Sequence, residues 1–281
     1  MKYLLIFILS CFSAVILAQT PNWTNVKETN INVSSALSVD IFTNKDDNHI
    51  IVQESNALKY YKMNVNGVAG SPVTLESSSV VSPSISGDAT RIYVVYRKSN
   101  ETSIRTKYST NGGSTWSYLS QNPPNSNASS IESVMSNGKL HVTYQVGNQV
   151  KYSSNSLTGG NWTADFTVSS TENGTSPRIT ARYDGQNDYV YFLYKKQNVD
   201  EGKWRRYNVG NNSWGTLYTG FALSDVLFSY PTGIRVTGDR IFLYYDYYKV
   251  VFGNPIWHFA WRELSFSNSL LGGNYIFGNQ S

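Results

Sequence analysis

Ser109-Thr110-Asn111-Gly112-Gly113-Ser114-Thr115-Trp116 closes one copy of a pattern that recurs along most of this chain. Asn and two Gly flanked by four small hydroxyl residues are turn chemistry, and the Trp that follows opens an apolar-alternating segment. Degraded versions of the same turn occur at Ser154-Asn155-Ser156-Leu157-Thr158-Gly159-Gly160-Asn161-Trp162, at Asn211-Asn212-Ser213-Trp214 and at Ser267-Asn268-Ser269-Leu270-Leu271-Gly272-Gly273-Asn274-Tyr275. A chain with such self-similarity is an array, and its period decides its architecture.

Working outward from the turn, the tightest periodic element is a short apolar strand. It reads Ile92-Tyr93-Val94-Val95-Tyr96, Leu140-His141-Val142-Thr143-Tyr144, Val190-Tyr191-Phe192-Leu193-Tyr194 and Ile241-Phe242-Leu243-Tyr244-Tyr245, with successive starts 48, 50 and 51 residues apart. A fainter copy, Ile50-Ile51-Val52-Gln53-Glu54, begins 42 residues before the first. A period of about 40–50 residues suits one four-stranded blade of a β-propeller.

The other strands fall around this anchor. Ser82-Pro83-Ser84-Ile85, Ser176-Pro177-Arg178-Ile179 and Tyr230-Pro231-Thr232-Gly233-Ile234 precede it, and proline, which lacks an amide donor, suits the first position of a strand. The Ser86-Gly87-Asp88, Ser136-Asn137-Gly138, Asp184-Gly185 and Gly238-Asp239 links read as tight hairpins. A third strand alternates apolar and basic residues, as in Ile104-Arg105-Thr106-Lys107-Tyr108, and a fourth opens on Trp116, Trp162 or Trp214. Five such units run from about Ala36 to the C-terminus. The sequence predicts an all-β fold, a five-bladed propeller of four-stranded antiparallel blades, with six blades the alternative. Asn22-Trp23-Thr24-Asn25-Val26 resembles a fourth strand, and a spare terminal strand is expected to clasp the ring.

Residues 1–18 read as a secretory signal peptide, with one Lys followed by an apolar run, leaving 19–281 as a single propeller domain exported from the cell or to a periplasm. The run is too short for a membrane span. The lone cysteine, Cys11, lies inside it, and a lipid anchor there would require the apolar stretch to stop at the cysteine, which it does not. The exported domain therefore has no disulfide and no thiol chemistry. A net charge of +4 is too small for a nucleic-acid footprint. His49, His141 and His258 sit in separate repeats without acidic or thiol neighbours at ligand spacing, so no metal and no cofactor is expected.

The 109–116 stretch resembles the Asp-box, the Ser-x-Asp-x-Gly-x-Thr-Trp turn of sialidase-like (BNR repeat) propellers. Ser109, Gly113, Thr115 and Trp116 hold their places and Asn111 stands for the Asp, which it replaces as an acceptor for turn amides. In that family the box is structural and lies on the face opposite the ligand site. The resemblance therefore directs function to the loops between blades, such as 121–130 and 220–230, and between second and third strands: Arg97 to Glu101, Lys195 to Glu201, and Asp246-Tyr247-Tyr248-Lys249. A sialidase of this kind implies an arginine triad, a Tyr nucleophile primed by Glu, and an Asp acid/base. Arg97, Arg178 and Arg235 are the arginines available, although the family's early Arg-Ile-Pro signature is absent. Glu54 stands where the other anchors have tyrosine, so it marks either a site or an offset of the first blade. The tyrosine column itself is expected to pack blade on blade with its hydroxyls at the rim.

Two uses of the ligand face follow. Trp204, Tyr247, Tyr248 and Trp257, among many Asn, Ser and Thr, offer aromatic faces and short polar groups to a sugar, which suits a lectin-like or adhesive glycan binder. Alternatively a sialidase or other glycoside hydrolase acts at the channel mouth, drawing its carboxyls from Asp40, Asp46, Asp47, Glu101, Asp200, Glu201 and Asp246, among which no pair stands out. A purely structural surface protein is the third reading. The expected partners are glycans or glycoproteins.

Overall fold

The computed structural model of the chain describes residues 31–278 apart from 32–35, 45–46, 65, 125–126, 158–160, 171, 224–225, 252–253, 268 and 272–274. Over these residues it forms β-strands and no helix. The signal segment, Cys11 and the Asn22 to Val26 piece lie outside the described residues. Blade I holds β1 (Ala36–Thr43), β2 (Asp47–Glu54), β3 (Ala57–Asn64) and β4 (Val73–Glu76); blade II holds β5 (Val80–Gly87), β6 (Ile92–Lys98), β7 (Ile104–Ser109) and β8 (Ser117–Tyr118). Blade III holds β9 (Ser129–Ser136), β10 (Lys139–Val146), β11 (Gln149–Asn155) and β12 (Phe166–Thr167). Blade IV holds β13 (Gly174–Tyr183), β14 (Asp188–Lys196), β15 (Glu201–Asn208), β16 (Ser213–Trp214) and β17 (Tyr218–Ala222), the last two sharing the outer edge of β15. Blade V holds β18 (Phe228–Thr237), β19 (Arg240–Val251), β20 (Asn254–Ser265) and β21 (Tyr275–Gly278). Every pairing is antiparallel and, apart from β15 with β17, between sequence neighbours, and the chain is a five-bladed β-propeller.

Each blade takes all its strands from one contiguous stretch, blade V included. The strand exchange expected of a clasp is therefore not seen among the described residues.

The second strands are apolar on both faces because both faces are covered. In β6, Ile92, Val94 and Tyr96 pack toward Ile51, Leu58 and Tyr60 of blade I, while Tyr93 and Val95 pack toward Leu140, Val142 and Tyr144 of blade III. β14 does the same, with Val190, Phe192 and Tyr194 against Val150 and Tyr152, and Tyr191 and Leu193 against Leu243 and Tyr245. The tyrosine column is buried, and its hydroxyls reach polar groups at the edges: Tyr96 donates to Glu76 Oε2 (3.2 Å), Tyr144 to the Pro124 carbonyl (2.9 Å) and Tyr194 to Glu172 Oε1 (2.9 Å).

Strand register resolves the first blade. Asp40 pairs with Ile51, Ser84 with Val95, Glu132 with Thr143 and Arg178 with Leu193. On the other side Ile51 pairs with Tyr60, Val95 with Thr106, Thr143 with Tyr152 and Leu193 with Trp204. In this frame the first anchor starts at Asn48 rather than Ile50, so Val52 occupies the tyrosine column and His49 matches His141. Glu54 lies beyond the column, ion-paired to Lys59. Its apparent oddity came from the offset.

Two other expectations are corrected. Pro83 and Pro177 lie within β5 and β13, at bulges between Val81 and Ser84 and between Thr175 and Arg178, where a missing donor breaks no ladder bond. Asp246-Tyr247-Tyr248-Lys249 is not a loop: it lies inside β19, which pairs with β20 from Arg240–Ser265 through Val251–Asn254. The hairpin of blade V is therefore longer than its counterparts, whose second strands end at Glu54, Lys98, Val146 and Lys196.

The 109–116 turn is closed by its own side chains. Asn111 Oδ1 accepts from the Thr115 amide (2.9 Å) and its Nδ2 donates to Thr115 Oγ1 (2.8 Å), while the Gly113 amide donates to Ser109 Oγ (2.9 Å). Trp116 Nε1 donates to the Gly113 carbonyl at 3.0 Å, and its ring meets Tyr60 edge-on at 5.0 Å. Gly113 has φ +86°, and a Cβ there would stand 2.0 Å from the Tyr60 hydroxyl. The turn thus locks blade II onto blade I.

Candidate functional site

The inner strands β1, β5, β9, β13 and β18 all contribute to one cavity of about 440 Å³ on the propeller axis. It opens at the N-terminal ends of these strands, the end reached by the connections between blades. Local backbone geometry shapes the rim: Ser82, Ser130 and Ser176, two residues ahead of Ser84, Glu132 and Arg178, have φ of 49°, 48° and 52°. Left-handed non-glycine residues cost energy and persist where the surroundings hold them. Here the Ser130 amide donates to Ser82 Oγ (3.1 Å), which ties blade III to blade II, and the Ser176 amide donates to Gln145 Oε1 (3.2 Å).

The bulges rotate the next polar side chains onto the axis. Asp40 of β1, Glu132 of β9 and Arg178 of β13 line the cavity with Ser38, Ser130, Ser176 and Thr232. Arg178 Nη1 donates to Glu132 Oε1 at 2.8 Å and to the Pro177 carbonyl at 3.1 Å. Asp40 Oδ2 accepts from the Ile85 amide (2.8 Å) and Ser84 Oγ (3.0 Å), and its Oδ1 from the Ile41 amide (2.8 Å). A chain of hydroxyls leads on from Ser84 to Ser133 (3.2 Å) and from Ser133 to Ser86 (3.0 Å).

These carboxyls are wet on the cavity side but enclosed by protein, and that enclosure dominates their titration. Burial raises Glu132 to about 7; Arg178 opposes the rise, and the Asp40 charge adds to it. Burial also raises Asp40, against the Ile85 and Ile41 amides, Ser84 and Arg178. Asp246 on β19 is raised by burial and drawn back by Arg178. One guanidinium from blade IV is thus the shared counter-charge of three carboxyls from blades I, III and V.

Of the arginines singled out in the sequence, only Arg178 reaches the cavity. Arg97 fastens a connection instead, donating from Nε to the Ala128 carbonyl (2.7 Å) and from Nη1 to those of Lys98 (3.1 Å) and Glu101 (2.9 Å). Arg235 is exposed and pairs with Phe242 away from the cavity. Trp204 is 1% exposed and stacked on Tyr218, and Tyr247 is 6% exposed and stacked on His258, so neither presents a face to a surface ligand. Tyr248 lies between Phe228 and Trp257 on the outward face of blade V, where Trp257 is 52% exposed.

Glu132 was missed by the sequence reading. Its signal was only partly in the sequence: Ser84 and Glu132 each stand 8 residues before their anchors, but Arg178 stands 12 before Val190 and Asp40 stands 10 before Ile50, so the shared inner-strand column emerges only with the register.

The sequence matches no family model, and no curated protein matches it. Its fold is shared by solved structures of unlike kinds. Hydrazine synthase of Kuenenia stuttgartiensis aligns over 91% of this chain and 69% of that chain at a TM-score of 0.56 and 8% identity. TolB from Acinetobacter baumannii aligns over 87% of this chain and 54% of that one at 0.53 and 10% identity. The NanB sialidase of Streptococcus pneumoniae aligns over 69% of this chain and 33% of that one at 0.50 and 15% identity. The likeness is one of propeller architecture, and function has to be argued from the site.

Proposed function

We propose that the chain is an exported, sialidase-like propeller of the Asp-box kind that binds carbohydrate in its axial cavity. The observation that carries this reading is the lining itself: carboxyls, one guanidinium and short hydroxyls, from four of the five inner strands, converge on a space of about 440 Å³. Sugar hydroxyls both donate and accept. Carboxylates at Asp40 and Glu132 accept from them and Arg178 donates to them, while the small serines leave room for a ring. The 109–116 turn supports the Asp-box assignment, and residues 1–18 support export.

Screening the purified protein on a glycan array tests the reading, with Arg178→Ala as the paired sample. Retention of a defined set of glycans, lost in Arg178→Ala while the melting temperature stays within a few degrees, is the expected result. No retention of any glycan by the folded protein overturns it. N-terminal sequencing of protein recovered from outside the producing cell tests export, with a start just after residue 18 expected.

A second reading has one specific observation in its favour. Glu132, held near 7, is poised to give a proton at neutral pH, and Asp40 provides a second carboxyl on another blade, the two groups that glycoside hydrolysis generally needs. Release of reducing ends from the retained glycan, abolished in Glu132→Gln, would establish hydrolysis over binding alone.

A further inference from the structure

The axial cavity is built around a positive charge that is already spent. Arg178 is the only cation among the described residues that line it, paired directly with Glu132 and lying in the field of Asp40 and Asp246. The remaining inner strands add only uncharged groups to the lining, Pro83 from β5 and Thr232 from β18. With all three carboxyls ionised the group carries two net negative charges. With one protonated it carries one, and with two protonated it is neutral. A net positive charge appears only when all three are protonated. A site that grips a carboxylate needs the reverse arrangement, guanidinium groups in excess with their donors free.

Resting on the carbohydrate reading above, we propose that the cavity takes sugars without acidic groups, excludes carboxylated ones, and owes this selectivity to Glu132. The excluded class comprises uronates and sialates, so the ligand differs in charge from what the resemblance to sialidases implies. Glu132 acts as a specificity-determining residue: paired with Arg178 Nη1 at 2.8 Å, it neutralises the charge that would hold a ligand carboxylate, while the remaining guanidinium N–H groups can still serve neutral hydroxyls.

The experiment compares galactose with galacturonate and β-1,4-mannan oligosaccharides with β-1,4-mannuronate oligomers, twins that differ only in the C6 acid, and also lactose with 3′-sialyllactose, which differ by one sialyl residue. Binding of each is measured by calorimetry at pH 7.5 for the unaltered protein and for Glu132→Gln, which keeps the side-chain shape and a hydrogen bond while removing the charge. In the unaltered protein at least one neutral member binds and its acidic twin binds at least tenfold more weakly. In Glu132→Gln that ratio falls by about tenfold, the effect of one charge at roughly 10 Å in an effective dielectric near 20. Equal binding of neutral and acidic twins by the unaltered protein overturns the selectivity while leaving the carbohydrate reading intact. So does an unchanged ratio in Glu132→Gln with an unchanged melting temperature, which removes Glu132 from the role. Binding of no sugar by either protein overturns the carbohydrate reading and the selectivity with it. If Glu132→Gln unfolds, Glu132→Ala provides the second variant: the same fall in the ratio is expected, and an unchanged ratio overturns the role of Glu132.

Discussion

Arg178 Nη1 and Glu132 Oε1 lie 2.8 Å apart, joining the inner strands of blades IV and III across the mouth of the axial cavity. The pair is one residue on each side of an architecture that repeats every 44–51 residues in register, yet neither residue recurs at the matching position of another blade. Repetition made the scaffold, and departures from it made the site.

Glu132 links stability to pH. Its folded value of about 7 lies above the ordinary 4.5, so between these two values the folded state binds more protons than the unfolded one. Stability from this group is therefore present in full below about 4.5 and is lost as the pH rises through about 7. Because water in the cavity screens the side chain, the loss is about 1–2 kcal/mol rather than the full shift. Thermal melts of the unaltered protein and Glu132→Gln at pH 5 and pH 8 check this: the unaltered protein should lose several degrees more across that window.

Gly113→Ala places a methyl group against the Tyr60 ring in a backbone conformation that L side chains avoid. A cost of roughly 2–5 kcal/mol is expected, and about 2–4 °C of melting temperature per kcal/mol for a chain of this size. Gly138→Ala is the control. Its φ of +70° carries the same strain with nothing within 4 Å of the added Cβ, so it should cost only about 1 kcal/mol.

Tyr152→Phe removes the hydroxyl that sits 2.8 Å from His141 Nδ1 between blades III and IV. His141 is wholly buried and its Nε2 lies 3.5 Å from Asp188 Oδ2, so the loss leaves a ring nitrogen without a partner in the core. Urea titration should show about 1–3 kcal/mol of destabilisation with an unchanged slope.

Two tryptophans divide structure from surface. Trp204→Ala, in the core shared by blades IV and V, should cost about 3–5 kcal/mol, whereas Trp257→Ala should stay within about 0.5 kcal/mol. Melting curves of the two variants side by side decide the matter.

Arg97→Ala separates the arginines in the same way. It strips three carbonyls of a charged donor and should lower the melting temperature while leaving the affinity for any retained glycan unchanged. Arg178→Ala should do the opposite, and calorimetry beside thermal melts measures both.

Much of this was legible in the residues. Runs such as Val190 to Tyr194 announce a strand covered on both faces, and Asn111 with Gly113 announces a turn, because hydrophobic coverage and left-handed backbone are local demands that composition answers. Blade I was harder to place because Asn48 and His49 break its apolar run; only pairing register shows that His49 is the counterpart of His141. The length of the β19–β20 hairpin was hidden as well, since Asp246 and Lys249 look like loop residues until a facing strand pairs with them.

By itself the sequence determined the rhythm, the sheet class and the chemistry of the 109–116 turn, since each depends on neighbours within about fifty residues; it left five blades against six, and the structure has five. Only the tertiary structure decided which charges meet. Asp40, Glu132, Arg178 and Asp246 are separated by tens of residues and brought together by the arrangement of blades around a common axis, and a charge acquires its chemistry from what stands a few ångströms away in space, whatever its distance along the chain.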